Sequence, residues 1–355
     1  MNFLKDIGIA LPIIQAPMAG VSTPELAAAV SNAGALGSIG IGAADAAGAH
    51  KMITELQGRT DAPFNVNLFV HASPIADPVR ERRWLDALTP AFEGFNAQPP
   101  EHLRTIYTSF NEDDDMLAML LRTRPAIVSF HFGLPRAAKI SALKNAGCYL
   151  LASATCLEEA EAAQSAGINA IIAQGYEAGG HRGVFNPSIP DAELGTFALT
   201  QLLISRLSVP VISAGGLMDG RGIAAVLALG AQAAQMGTAF VACPESSADA
   251  AYRKALTGRG AYHTVMTNAV SGRPARCLAN RFTEWAQAHP DIVPPDYPLA
   301  YDAGKALHSA GKAAGDSGFG AQWAGQGAPL ARSLPAAELI EKLTLELEET
   351  RLKGV

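Results

Sequence analysis

One unit recurs along this chain: a short apolar strand, a loop of small residues, an alanine-rich helix, then a glycine leading into the next strand. The glycine follows Ala33, Ala146, Ala166 and Leu229, where the left-handed position just past a helix C-terminus favours it. Helix starts are also readable. Thr23 is placed to cap a helix opening with Pro24 and Glu25, and Asp219 one that carries Ile223, Val226 and Leu227. The strands so delimited are Ile13–Gln15, Leu36–Ile39, Phe64–Leu68, Ile127–Phe130, Tyr149–Ser153, Ala170–Gln174, Val211–Ser213 and Ala233–Met236. All are short and apolar on both faces, as a buried parallel sheet requires. Strand–helix alternation gives an α/β class, and eight strands point to a closed (β/α)8, or TIM, barrel. The rival is a doubly wound open sheet, whose usual G-x-G-x-x-G signature is absent.

Two segments break the repeat. Residues 70–125 are far longer than a simple crossover and carry helix-like stretches near Arg80–Leu88 and Asp114–Arg122. Residues 244–326 are rich in Pro, Gly and Tyr and read as a mostly helical, substrate-binding cap over the barrel mouth. The barrel is then 1–243 with 327–355, closed outside by an amphipathic helix at Ala336–Leu352. Hydrophobic residues make up 49% and charged residues 17%, enough apolar content for so large a core. A net charge of −6 without a basic run argues against nucleic acid. No signal peptide or membrane-length apolar stretch is present, so the expectation is a cytoplasmic protein, monomer or homodimer. Cys148, Cys156, Cys243 and Cys277 form no C-x-x-C pair, so neither a metal site nor a disulfide is expected. Cys148 and Cys156 read as small core residues.

The chemistry gathers at the strand ends. Ser213-Ala214-Gly215-Gly216 and Gln235-Met236-Gly237-Thr238 end the last two strands, where barrels often grip a phosphate with backbone N–H groups. Two ordinary tight turns are the plainer alternative. The sixth strand ends in QGYEAGGHRG (174–183). Its glycines, including Gly179 and Gly180, let the loop lie flat against a planar ligand and let His181 approach one. Gln174 offers both donor and acceptor to a heterocycle edge. Ala16, Pro17, Met18 and Ala19 give a rigid backbone that a ring can approach. Asn65 and Asn67 share one strand face; Asn67 is the cofactor candidate, and for Asn65 the alternative is a buried asparagine satisfied by backbone.

APMAGVST (16–23), FHFGLP (130–135), QGYEAGGHRG (174–183) and QMGTAFVACPES (235–246) together resemble the nitronate monooxygenases of the type once called 2-nitropropane dioxygenase, class I. YPLAYDAGKAL (297–307) extends the likeness into the cap. The resemblance implies an FMN-containing barrel that oxidises alkyl nitronates with O2 to a carbonyl compound and nitrite, without nicotinamide or metal. Propionate 3-nitronate is the physiological substrate it implies.

A nitronate is already an anion and needs an electron acceptor more than a base, so one-electron transfer giving a flavin semiquinone is expected. His181 is then the catalytic residue and holds the nitronate oxygens; the sequence leaves its charge open. His131 orients substrate or flavin, or is a satisfied polar residue beneath the site. Tyr297, Tyr301 and Lys305 have i, i+4, i+8 spacing, one helix face that would present two hydroxyls and an ammonium to a substrate carboxylate. A solvated helix face is the alternative. Tyr107 and Tyr252 are further candidates for the same cavity. Two other functions stay open: an FMN-dependent NADH:quinone or enoyl-thioester reductase, and a non-catalytic binding barrel.

Overall fold

The computed structural model describes residues 3–353. In chain order its strands are β1 (Ile13–Gln15), β2 (Gly37–Gly40), β3 (Phe64–Phe69), β4 (Ile127–His131), β5 (Tyr149–Ala154), β6 (Ala170–Gln174), β7 (Gly180–His181), β8 (Val211–Ala214), β9 (Ala233–Met236), β10 (Thr264–Thr267) and β11 (Ala275–Leu278). Eight of them form one parallel sheet in the order β1-β9-β8-β6-β5-β4-β3-β2. Bonds from the Gln15 N–H to the Leu36 carbonyl and from the Leu36 N–H to the Ile13 carbonyl join the two ends. The sheet is therefore a closed barrel, and the open-sheet alternative falls. Thr23 and Asp219 cap their helices, accepting from the N–H groups of Leu26 and Gly222.

Period-two alternation sorts the strand residues. Val66, Leu68, Val128, Phe130, Leu150, Ile171 and Ala173 face the helices outside. Ile14, Leu36, Ile127, Leu151, Ile172 and Ile212 fill the lower interior, plugged from below by Phe3, Ile7 and Ile9. Further along, the interior turns polar: Asn67, His131, Ser153, Gln174 and Gln235 all lie at the C-terminal ends of their strands. The apolar floor thus leaves a polar chamber only at the rim.

The helix Ala336–Leu352 packs Leu339, Ile340, Leu343 and Leu347 against Leu26, Val30, Ile223 and Val226 outside β1 and β9, where the sequence places it. The two irregular segments share one core. Trp84, Leu85, Leu88 and Phe92, an apolar stripe on helix Pro78–Glu93, pack on Val270, Phe282, Ala303, Leu307 and Phe319. Asp302, buried on helix Leu299–Ala313, accepts from the Arg104 backbone and guanidinium. The first insertion therefore packs with the second segment in one layer over the rim.

One element was not anticipated. β10, β11 and β7 form a small antiparallel sheet, in which Ala275 pairs with His181 and Arg276 with Gly180. His181 lies on a strand stitched to the cap instead of a free loop.

Candidate active site

Above the apolar floor lies a cleft of about 1300 Å³, counted out to its mouth. Ala16, Pro17, Met18 and Ala19 line it after β1, and Asn67 from within β3. Gln174, Gly179, Gly180 and His181 come from β6 and β7, Gly215 and Gly216 from beyond β8, and Gln235, Met236, Gly237 and Thr238 from β9. His131, Tyr107, Tyr252, Tyr297 and Tyr301 complete the set brought together from the sequence reading. Gly215 and Gly216 have φ of 119° and 69°, a region that disfavours any Cβ. The Thr238 hydroxyl accepts from the Gly325 N–H at 2.9 Å.

Lys305 stands apart. It is exposed on the outer side of the aromatic wall, its ammonium 4.9 Å from the Tyr107 ring centre and 5.4 Å from that of Tyr301. The expected single helix face is also corrected. The helix starts at Leu299, so Tyr297 lies before it, because a residue preceding proline disfavours helical backbone. Tyr297 reaches the same wall nonetheless, its ring 6.5 Å from that of Tyr301.

His181 sits in a cage of rings: Trp323 at 5.0 Å, Tyr297 at 5.4 Å, Phe132 at 5.5 Å and Tyr301 at 5.9 Å. Its Nε2 is 2.8 Å from the Ser271 hydroxyl. Burial, then the neighbouring His131, Arg273 and His71, push its pKa down to about 3. The open question of its charge resolves to the neutral form. The low-dielectric surroundings disfavour an imidazolium, and the nearby cation adds to the penalty.

His131 works beneath. Its Nδ1 lies 3.0 Å from the Ser153 hydroxyl and its Nε2 3.1 Å from the His181 carbonyl. Burial takes it to about 4, although the bond to the His181 carbonyl pulls upward. Gln174 supports the same strand: its amide donates to the His181 carbonyl at 2.9 Å and accepts from the Gly183 N–H at 2.7 Å. Each amide atom keeps one further hydrogen-bonding position. Asn67 donates to the Ser129 hydroxyl at 2.9 Å. Asn65 donates to the Ser38 hydroxyl at 3.2 Å, a side-chain rather than backbone partner, and does not line the cleft. The Tyr252 hydroxyl donates to the Trp323 carbonyl. Burial raises Tyr107 and Tyr301 to about 12 and Tyr297 well above the usual phenol range, so all three hydroxyls are protonated donors at neutral pH. The Tyr297 hydroxyl is buried with no partner.

Sequence reasoning missed Trp323, Phe132, Ser271 and three buried arginines. Arg182 bonds the Gln174 carbonyl, Arg276 that of Tyr176 and Arg273 that of Val184, so guanidinium groups pin the backbone on both sides of His181. Arg273 and Arg276 lie in SGRPAR (271–276), a Gly- and Pro-containing run with no periodicity to mark a buried face. The pairing of β11 with β7 sets Arg276 opposite Gly180, and Arg273 lies just before β11.

A closed parallel barrel with its polar chamber at the C-terminal rim, roofed by rings and a histidine, defines a barrel enzyme acting on a small molecule. The profile of one family, described as nitronate monooxygenase, matches residues 2–346. A nitronate monooxygenase of Paraburkholderia phytofirmans is 60% identical over 98% of this chain and 95% of its own. One from Pseudomonas aeruginosa is 58% identical over 98% and 99%. The solved nitroalkane oxidase of Streptomyces ansochromogenes superposes with a TM-score of 0.90 at 41% identity, covering 99% of both chains. The chain belongs to the nitronate monooxygenase family and is an oxidoreductase.

Proposed function

We propose that the protein oxidises alkyl nitronates, propionate 3-nitronate among them, with FMN as cofactor and dioxygen as oxidant, releasing a carbonyl compound and nitrite. One observation carries the reading: no Asp or Glu is among the described residues lining the cleft. The wall that faces the rim loops offers His181 and the hydroxyls of Tyr107, Tyr297 and Tyr301. Such a site welcomes an anion and lacks the carboxylate that would remove a proton from carbon. A nitronate meets both conditions, being negative and already deprotonated.

The residues fit FMN. Gln235 Oε1 is buried without a protein partner, as an acceptor awaiting a ligand donor would be. Gly215, Gly216, Gly237 and Thr238 take the phosphate, their backbone open to an anion. Ala16–Ala19 and Gly179–Gly180 flank the ring, with Asn67, Gln174 and Gln235 toward its polar edge. FMN supplies the electron acceptor when bound. Neutral His181 directs its Nδ1–H at a nitronate oxygen in the tautomer whose Nε2 accepts from the Ser271 hydroxyl, and the unpartnered Tyr297 hydroxyl is a second donor. Lys305, outside the tyrosines, attracts the carboxylate of propionate 3-nitronate at longer range.

Oxygen uptake and nitrite release test the reading. Propionate 3-nitronate and ethyl nitronate should be consumed rapidly and nitroethane far more slowly, since an imidazole with a pKa near 3 is a weak base. Nitroethane turning over as fast as its nitronate would contradict the role given to the site.

A further inference from the structure

Two of the three buried arginines have their charge or donors accounted for. Arg182 pairs with Asp191 at 2.6 Å, and Arg276 spends two nitrogens on the Tyr176 carbonyl. Arg273 differs. It is 3% exposed, its Nη2 bonds the Val184 carbonyl, its Nε is buried with no partner, and it makes no ion pair among the described residues. Glu159 is the carboxylate that acts on it at a distance, and that carboxylate already accepts from the Thr155 and Phe185 N–H groups. A buried cation without a counter-charge is unfavourable unless something negative comes to share its field.

Its position supplies the reason for keeping it. The guanidinium lies over the Phe132 ring at 4.5 Å, and the same ring meets the His181 imidazole edge-on at 5.5 Å. We propose that Arg273 is the fixed positive charge that draws an anionic substrate to His181, a positioning residue acting through its field while His181 directs the hydrogen bond. The proposal deepens the nitronate reading and rests on it. Charge and hydrogen bond are thereby divided between two residues, so anion binding does not depend on protonating a histidine. Burial lowers Arg273 only to about 10, which leaves it cationic throughout the working range. The titratable and charged groups that act on Arg273 or that it acts on are His71, His131, His181, Tyr297 and Glu159.

Nitrate is a suitable probe: planar, singly negative, and not oxidisable by the enzyme. Its binding to the FMN-loaded protein is followed by the change in flavin absorbance. For the wild type, Kd should stay flat from about pH 5.5 to about pH 8.5, because the attracting charge does not titrate there. A Kd rising about tenfold per pH unit above pH 6 would place the charge on a histidine and overturn the proposal. Arg273→Met should weaken nitrate at least roughly tenfold, Arg273→Lys should recover most of that, and the His181 imidazole, followed by NMR, should titrate higher in the Met variant. Wild-type affinity in Arg273→Met, or equal loss in a stably folded Arg273→Lys, would show a clamp on Val184 and nothing more. None of these readouts uses turnover, so absence of nitronate oxidation would count against the proposed function and not against this role.

Discussion

His181 owes its properties to what surrounds it. Four rings and the carbonyl pins from Gln174 and His131 hold its strand, and the same burial keeps its imidazole neutral. Replacing it with Asn should lower kcat/KM for nitronates ~10- to 100-fold, the scale of one lost hydrogen bond to a charged ligand. Unchanged steady-state kinetics would remove it from the site. The histidines also tie stability to pH. An unfolded histidine titrates near 6.5, whereas His181 and His131 lie near 3 and 4, so the native state binds fewer protons in the interval. Their contribution is full above about pH 6.5 and is lost as pH falls through about 4 for His131 and about 3 for His181. The melting temperature should therefore drop across that window, and His131→Gln should make the drop shallower. A variant with an unaltered slope would mean that His131 does not carry this linkage.

Between neighbouring glycines the structure draws a sharp contrast. A Cβ on Gly179 would lie 2.4 Å from the Gly325 backbone nitrogen, so Gly179→Ala must push the β6–β7 loop away from the segment holding Trp323. A Cβ on Gly180 meets nothing within 4 Å, but its φ of +77° costs an alanine about 1 kcal/mol. Gly179→Ala should lose FMN affinity strongly and Gly180→Ala mildly, by equilibrium dialysis; the reverse order would contradict the close approach. The cap offers another test at this scale. Lys305→Met should impair propionate 3-nitronate far more than ethyl nitronate, and equal losses would show that the exposed ammonium does not sense the carboxylate. The barrel strands were legible because doubly buried strands are apolar on both faces over most of their length and glycine marks several helix ends. β7, β10 and β11 were not, since two to four residues of mixed polarity acquire strand geometry only from pairing partners as far as 96 residues away, Arg276 opposite Gly180. Tyr297 was misplaced onto a helix because i, i+4 spacing outweighed the proline beside it.

At the scale of the molecule, one sequence pattern does two jobs. Ile and Leu at the lower interior positions pack the barrel shut, and polar residues at the last inward position of several strands leave a chamber only under the cap. The cap in turn is held by the stripe from Trp84 to Phe92 and by the Arg104–Asp302 pair, so both irregular segments contribute tyrosines to one wall. Family and barrel could be read from the rim motifs, whereas the neutral histidine and its buried arginine neighbour needed the folded chain. No described helix is long and apolar enough to cross a membrane. On the proposed function, this chamber binds an already deprotonated nitronate beside FMN. Anaerobic mixing of the flavin-loaded protein with propionate 3-nitronate, and separately with NADH, tests it most directly. Rapid loss of the flavin's visible absorbance with the nitronate and none with NADH is the predicted result. Rapid bleaching by NADH with no response to the nitronate would contradict the account and make the barrel a nicotinamide-dependent reductase.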